Sequence, residues 1–224
     1  VGHNGGHNTS WSGYYEATTE QVQRAEEIFT SWLDLLDRAR VEGGPLKFSI
    51  DTESCNLNIF KERGFLMLQV YDGEKAYAFN AGVLFHPQVN PLVKLFLIHG
   101  EARFYLWNTK YDRQVIWHNF GFSLEDRDLD GMVLAMGITE KGKQCGLKYR
   151  SRQDLNAPFY EEALDQWLDQ ADINYSHIPP SVLAEYGCKD VYYTYHEIPI
   201  LLKRVHKEGT MKVVKDILMP AQRT

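Results

Sequence analysis

Four acidic side chains in three short motifs have the type and spacing to gather negative charge in one place. The first motif is Asp51-Thr52-Glu53. Positions i and i+2 of an extended chain point to the same side, so Asp51 and Glu53 present two carboxylates together. The second is Asn108-Thr109-Lys110-Tyr111-Asp112, directly after the apolar run at 103–107. The third is Tyr186-Gly187-Cys188-Lys189-Asp190, where i and i+4 share a helix face, so phenol and carboxylate point the same way. Carboxylates drawn from several segments suit hard divalent cations such as Mg2+ and Mn2+, which prefer oxygen ligands. Each motif alone also has an ordinary account. Asp-x-Glu after a strand is commonly a solvated turn, Asn108 can cap a helix, and Asp112 can complement its dipole.

The predicted elements place these motifs at strand ends and on a helix. Thr18 and Gln21 have capping-box spacing, and Val22, Ala25, Ile28, Phe29, Trp32, Leu33 and Leu36 recur at helical steps until Gly43-Gly44-Pro45 stops them. Residues 46–51 read as a strand ending on an acid. Residues 65–71 and 75–80 read as a hairpin through Asp72-Gly73. A helix at 91–98, a strand at 103–107 and a short helix at 109–117 follow. The remainder reads as helices at 128–138, 160–171 and 181–207. Early strands and interleaved helices indicate an α/β fold with a mixed β-sheet flanked by helices. Open sheets of this class bind ligands at the carboxyl ends of their strands. Residues 1–17 are expected to be a flexible lead-in whose His3 and His7 are incidental.

Taken in order, strand-Asp-x-Glu, strand-Asn-x-x-x-Asp and helical Tyr-x-x-x-Asp resemble the signature of the DEDD 3′→5′ exonucleases, in the subgroup carrying Tyr rather than His. The chain is similar to the proofreading domain of family A DNA polymerases, the DNA polymerase I group, over roughly residues 46–222. DTESCNL (51–57) resembles the first motif through its wedge leucine, here Leu57. DLDGMVLAMGI (128–138) resembles the helix after the second, and EYGCKDVYYTYHEI (185–198) the tyrosine-to-aspartate helix. VVKDILMPAQ (213–222) resembles the lead into a polymerase palm. The second motif departs from the family's Gly-His-Asn-x-x-Phe-Asp, with Tyr111 in place of Phe.

The resemblance implies an RNase H-like fold and two ions, Mg2+ or Mn2+. Asp51 would bridge both, Glu53 and Asp190 would complete the shell of one, and Asp112 would hold the other through water. Tyr186 would align the attacking water. Thr52, Leu57, Asn108 and Tyr111 would touch the 3′ end of single-stranded DNA, with Phe60 a weaker candidate. Residues 18–45 would form an N-terminal helix packed on the domain, 46–212 the exonuclease, and 213–224 the start of the link to a polymerase domain of the same parent chain. Val1 suggests a fragment or a processed product, and 224 residues leave no room for fingers, palm and thumb. A monomer in the cytoplasm of a bacterial or phage-infected cell is expected.

Composition narrows the alternatives. With 24 Lys+Arg against 30 Asp+Glu, net charge −6, the chain does not grip nucleic acid through bulk positive charge. The exception is the stretch 141–152, whose Lys141, Lys143, Lys148, Arg150 and Arg152 read as a phosphate-tracking segment or an exposed basic loop. No apolar run approaches the ~20 residues of a membrane span. Cys55, Cys145 and Cys188 lack metal-ligand spacing, and Cys55 and Cys188 read as packing residues. The runner-up within the same chemistry is an RNase D-like exoribonuclease. A non-catalytic DNA-binding module of the same fold is the rival from another class.

Overall fold

The computed structural model describes residues 12–55, 64–124, 127–139, 141–169 and 174–222. Helix α1 (Thr19–Glu42) starts on a capping box, the Thr18 side chain accepting from Gln21 N and the Gln21 side chain from Thr18 N. It buries Val22, Ala25, Phe29, Trp32 and Leu36, the stripe its periodicity predicts. Strands β1 (Leu46–Ser54), β2 (Phe65–Tyr71) and β3 (Ala76–Asn80) follow, with β2 and β3 joined by a tight turn. The Asp72 carboxylate accepts from Glu74 N and Lys75 N there, and Gly73 takes φ 101°. Helices α2 (Ala81–Leu84) and α3 (Asn90–Ile98) lead to β4 (Ala102–Leu106) and α4 (Thr109–Phe120).

The five-stranded sheet runs β3-β2-β1-β4-β5, with β1–β2 and β2–β3 antiparallel and β1–β4 and β4–β5 parallel. This is the mixed sheet flanked by helices that was expected. The edge strand β5 (Asp128–Asp130) and helix α5 (Gly131–Met136) replace the single helix predicted at 128–138. Asp128 and Asp130 pair in register with Phe104 and Leu106 of β4, and the helix starts only after Asp130 caps it. The stretch 141–152 is not a loop either. It contains a 3-10 turn at Gly142–Cys145 and the start of α6 (Leu147–Leu155). The helix expected at 160–171 shortens to α7 (Glu162–Leu168), and α8 (Pro180–Lys207) closes the domain.

The sheet separates two apolar layers. On one face Phe48 and Ile50 of β1 join Phe29, Trp32, Phe96, Phe104, Val115 and Ile116, bringing α1, α3 and α4 onto the sheet. On the other, Tyr105 packs with Val133, Leu134, Ile198, Leu201 and Val205 of α5 and α8, and Val214 of the tail joins them. Strand alternation therefore turns Asp51 and Glu53 away from the α1 layer and towards α8. Among the described residues no helix is long and apolar enough to cross a membrane.

Candidate active site

Asp51 and Glu53 lie within β1 rather than after it, in the part that extends past its parallel neighbour. Pairing with β4 ends at Ser49↔Tyr105, whereas pairing with β2 continues to Ser54↔Phe65. The carboxyl end of β1 is thus open on the β4 side, and a cleft of about 290 Å³ forms there. Its walls are Asp51, Thr52, Glu53, Trp107, Asn108, Tyr111, Asp112, Tyr175, Tyr186 and Asp190. All four acids and the tyrosine singled out in the sequence are brought together. Leu57 and Phe60 lie outside the described residues. A larger groove, about 570 Å³, between α1, β3 and the start of α8 has only Glu20 and Arg24 as charged lining.

The second motif is set by backbone geometry. Asn108 is left-handed, φ 64° and ψ 50°, a conformation Asn tolerates better than most residues, and its exposed side chain makes no cap to α4. The capping expected of it is done by Asp130, whose carboxylate accepts from Asn108 N at 3.1 Å and Thr109 N at 2.8 Å. Asp112, in the first turn of α4, is 2% exposed. Its Oδ1 accepts from Thr52 N at 3.0 Å and from the Thr52 hydroxyl at 2.6 Å. Thr52, expected at the substrate, thus directs its hydroxyl to Asp112. Tyr111 is half-buried, with its hydroxyl engaged by Ser54.

The third motif depends on one close approach. A Cβ on Gly187 would lie 2.4 Å from Gln69 Nε2 and 2.5 Å from its Cδ, so glycine lets α8 settle on β2. Gln69 is the register partner of Asp51, and the contact therefore sets the depth at which Tyr186 and Asp190 face β1. The Tyr160 hydroxyl donates to Asp190 Oδ1 at 2.6 Å, and the Lys148 ammonium pairs with the same oxygen. Tyr160 and Tyr175 were not found in the sequence, because both lie outside regular apolar spacing and reach the site only through tertiary contact. Asp130 carried a usable signal, an Asp immediately before an apolar helix.

Packing acids into this cleft raises their pKa values. Burial, then Asp112, Glu53 and Asp190, push Asp51 well above the carboxylate range, with Lys148 opposing. Glu53 is raised likewise by burial, Asp190 and Asp112. Burial lifts Asp112 to about 7 despite the Thr52 hydrogen bonds. The Tyr186 phenol is raised by burial and by the negative charge of Asp190, Glu53 and Asp51, and stays protonated. The lining holds four carboxylates and neither thiol nor imidazole, a donor set suited to Mg2+ or Mn2+. Among the described residues, no three acid, imidazole or thiol side chains stand close enough together to hold a metal ion. Asp112 is turned onto Thr52, and Asp190 onto Lys148 and Tyr160. The cysteines keep out of the cleft lining: Cys145 is buried, and burial pushes the Cys188 thiol up to about 11.

The basic stretch divides. Lys148 reaches Asp190, Arg150 pairs with Asp154 and Glu197, and Arg152 pairs with Glu161. Arg150 is 7% exposed, its guanidinium held in these ion pairs. Burial and Asp154 lift its partner Glu197 to about 8.

No protein-family model matches the sequence, and comparison with curated proteins gives no match. Solved structures do match. Brucella melitensis NrnC with bound Mg2+ superposes with a TM-score of 0.60 at 18% identity, over 80% of this chain and 83% of that one. Escherichia coli RNase D, an exoribonuclease involved in structured RNA processing, gives 0.64 at 14% identity over 87% of this chain and 48% of that one. A single-site mutant of the catalytic core of RRP6 from Trypanosoma brucei gives 0.63 at 11% identity over 96% and 58%. The fold is therefore the RNase H-like fold that these structures share.

Proposed function

We propose that the chain is a metal-dependent 3′→5′ exonuclease of the DEDD type that hydrolyses the terminal phosphodiester of a single strand. The observation that carries this is the convergence of Asp51, Glu53, Asp112, Asp190 and Tyr186 on one cleft at the carboxyl end of β1. Asp51, Glu53 and Asp190 would hold one Mg2+ or Mn2+, and Asp51 with Asp112 would hold a second. Bound there, such ions lower the pKa of the attacking water and stabilise the attacking and leaving oxygens of an in-line displacement. Tyr186 keeps its phenolic proton, so it orients the water and does not act as a base. Asn108 and Tyr111 line the cleft where a terminal nucleotide would lie, while Thr52 is buried beneath it against Asp112.

Two substrate readings follow from different observations. The matched structures favour an RNase D-like exoribonuclease over the proofreading domain expected from the motifs, since Escherichia coli RNase D is an exoribonuclease involved in structured RNA processing. DNA proofreading draws support from the sequence alone, from DTESCNL and the palm-like segment 213–222. Labelled DNA and RNA oligomers of one sequence, incubated with the protein and Mg2+ or Mn2+, separate the two by rate. Asp51→Ala or Asp190→Ala abolishes degradation of both while circular dichroism stays native, and Tyr186→Phe slows it by about ten- to a hundredfold. Full activity in Asp51→Ala refutes the assignment.

A further inference from the structure

A cation stands against one wall of the cleft, on Asp190. Lys148, the second residue of α6, directs its ammonium to Asp190 Oδ1, the oxygen that also accepts from Tyr160. The same nitrogen lies 4.4 Å from the Tyr186 ring centroid and 4.6 Å from that of Tyr160. Two aromatic faces and one carboxylate thus hold a positive charge at the mouth of the acid cluster, with the lysine side chain still 23% exposed. An ion pair on a candidate metal ligand cannot persist once a divalent cation takes that oxygen. The four-carbon stem lets the ammonium withdraw without moving α6, and the two ring faces keep it near the cleft.

We propose that Lys148 is a built-in counter-ion that holds Asp190 in the metal-free protein, competes with a divalent cation for that carboxylate, and once displaced pairs with a phosphate oxygen of the bound strand. The ammonium stands where the acids need neutralising, on the Asp190 carboxylate and against the Tyr186 and Tyr160 rings. A single residue would then couple metal arrival to substrate capture, because the displaced cation gains a partner only when a phosphate enters. This rests on the nuclease reading above, and metal binding without substrate separates the two.

Mn2+ affinity is measured by calorimetry on the full chain for wild type, Lys148→Met and Lys148→Arg, followed by KM and kcat on a single-stranded oligomer at saturating Mn2+. Lys148→Met is expected to bind Mn2+ about tenfold more tightly, since competitor and repulsion are both gone, whereas a lysine that merely anchors α6 to α8 would leave affinity unchanged or weaken it. KM for the oligomer rises about tenfold in Lys148→Met with a smaller change in kcat, and Lys148→Arg restores both values towards wild type. Unchanged or weaker Mn2+ binding by Lys148→Met, or an unchanged KM, overturns the proposal while leaving the nuclease reading in place. Failure of the wild-type protein to bind Mn2+ overturns both.

Discussion

Asp112 makes the metal-free protein lose stability as the solution is made less acidic. Burial raises its carboxyl from the ordinary 3.8 to about 7. Below pH 4 the group is protonated folded and unfolded alike. Between pH 4 and 7 only the folded protein keeps the proton, so each step up in pH favours unfolding, and above pH 7 the full penalty stands. A rise of that size corresponds to about 4 kcal/mol, of which about 3 falls between pH 5 and 8. Asp51 and Glu53 shift in the same direction and add to the slope, as does Glu197 outside the cleft. His196 works against it, its pKa lowered by burial. Asp112→Asn isolates the site: the amide oxygen still accepts from Thr52 N and Oγ1, and the charge that raises Asp51 and Glu53 is removed. Urea unfolding in EDTA at pH 5 and pH 8 should show wild type losing at least about 3 kcal/mol more than Asp112→Asn, and Mg2+ should restore wild type at pH 8. Parallel pH profiles for the two proteins in EDTA refute the reasoning.

Gly187→Ala places a methyl against a buried glutamine, Gln69 being 0% exposed, and overpacking of this kind costs about 1–3 kcal/mol. Because α8 carries Tyr186 and Asp190, the same variant should lose far more nuclease rate than that stability change explains, and a wild-type rate in single-turnover assays contradicts the packing argument. Tyr160→Phe removes a 2.6 Å hydrogen bond to the Asp190 carboxylate and should cost about 1.5–3 kcal/mol by urea unfolding in EDTA. An unchanged midpoint would show that Lys148 alone suffices to hold that oxygen.

The parts legible in the sequence are those set by local pattern. Helix α1 follows from its capping box and apolar stripe, the β2–β3 hairpin from Asp72-Gly73, and the three acidic motifs from spacing alone. What stayed hidden depends on contacts between distant segments. Strand β5 is three residues long and reads as the first turn of the helix after it, since only pairing with Phe104–Leu106 makes it extended. The basic run at 141–152 showed its charge but not its direction. Nothing local distinguishes Lys148, turned onto Asp190, from Arg150, turned onto Asp154 and Glu197. Gln69 is the one amide in the strand FLMLQVY, and its place beneath Gly187 requires the folded helix.

Asp130 shows how far the cleft depends on a residue outside the three acidic motifs. Its carboxylate accepts from Met132 N and Val133 N, capping α5, and from Asn108 N and Thr109 N, the turn that opens α4. Four backbone donors at two helix starts, each lacking an intrahelical partner, are met by one side chain that is 2% exposed. That bond set supports Asn108 in the left-handed region, and with it the direction in which α4 leaves β4 and brings Asp112 onto Thr52. The short edge strand β5 therefore contributes more than width to the sheet. It delivers Asp130 to the end of β4, and so places the second acidic motif opposite the first.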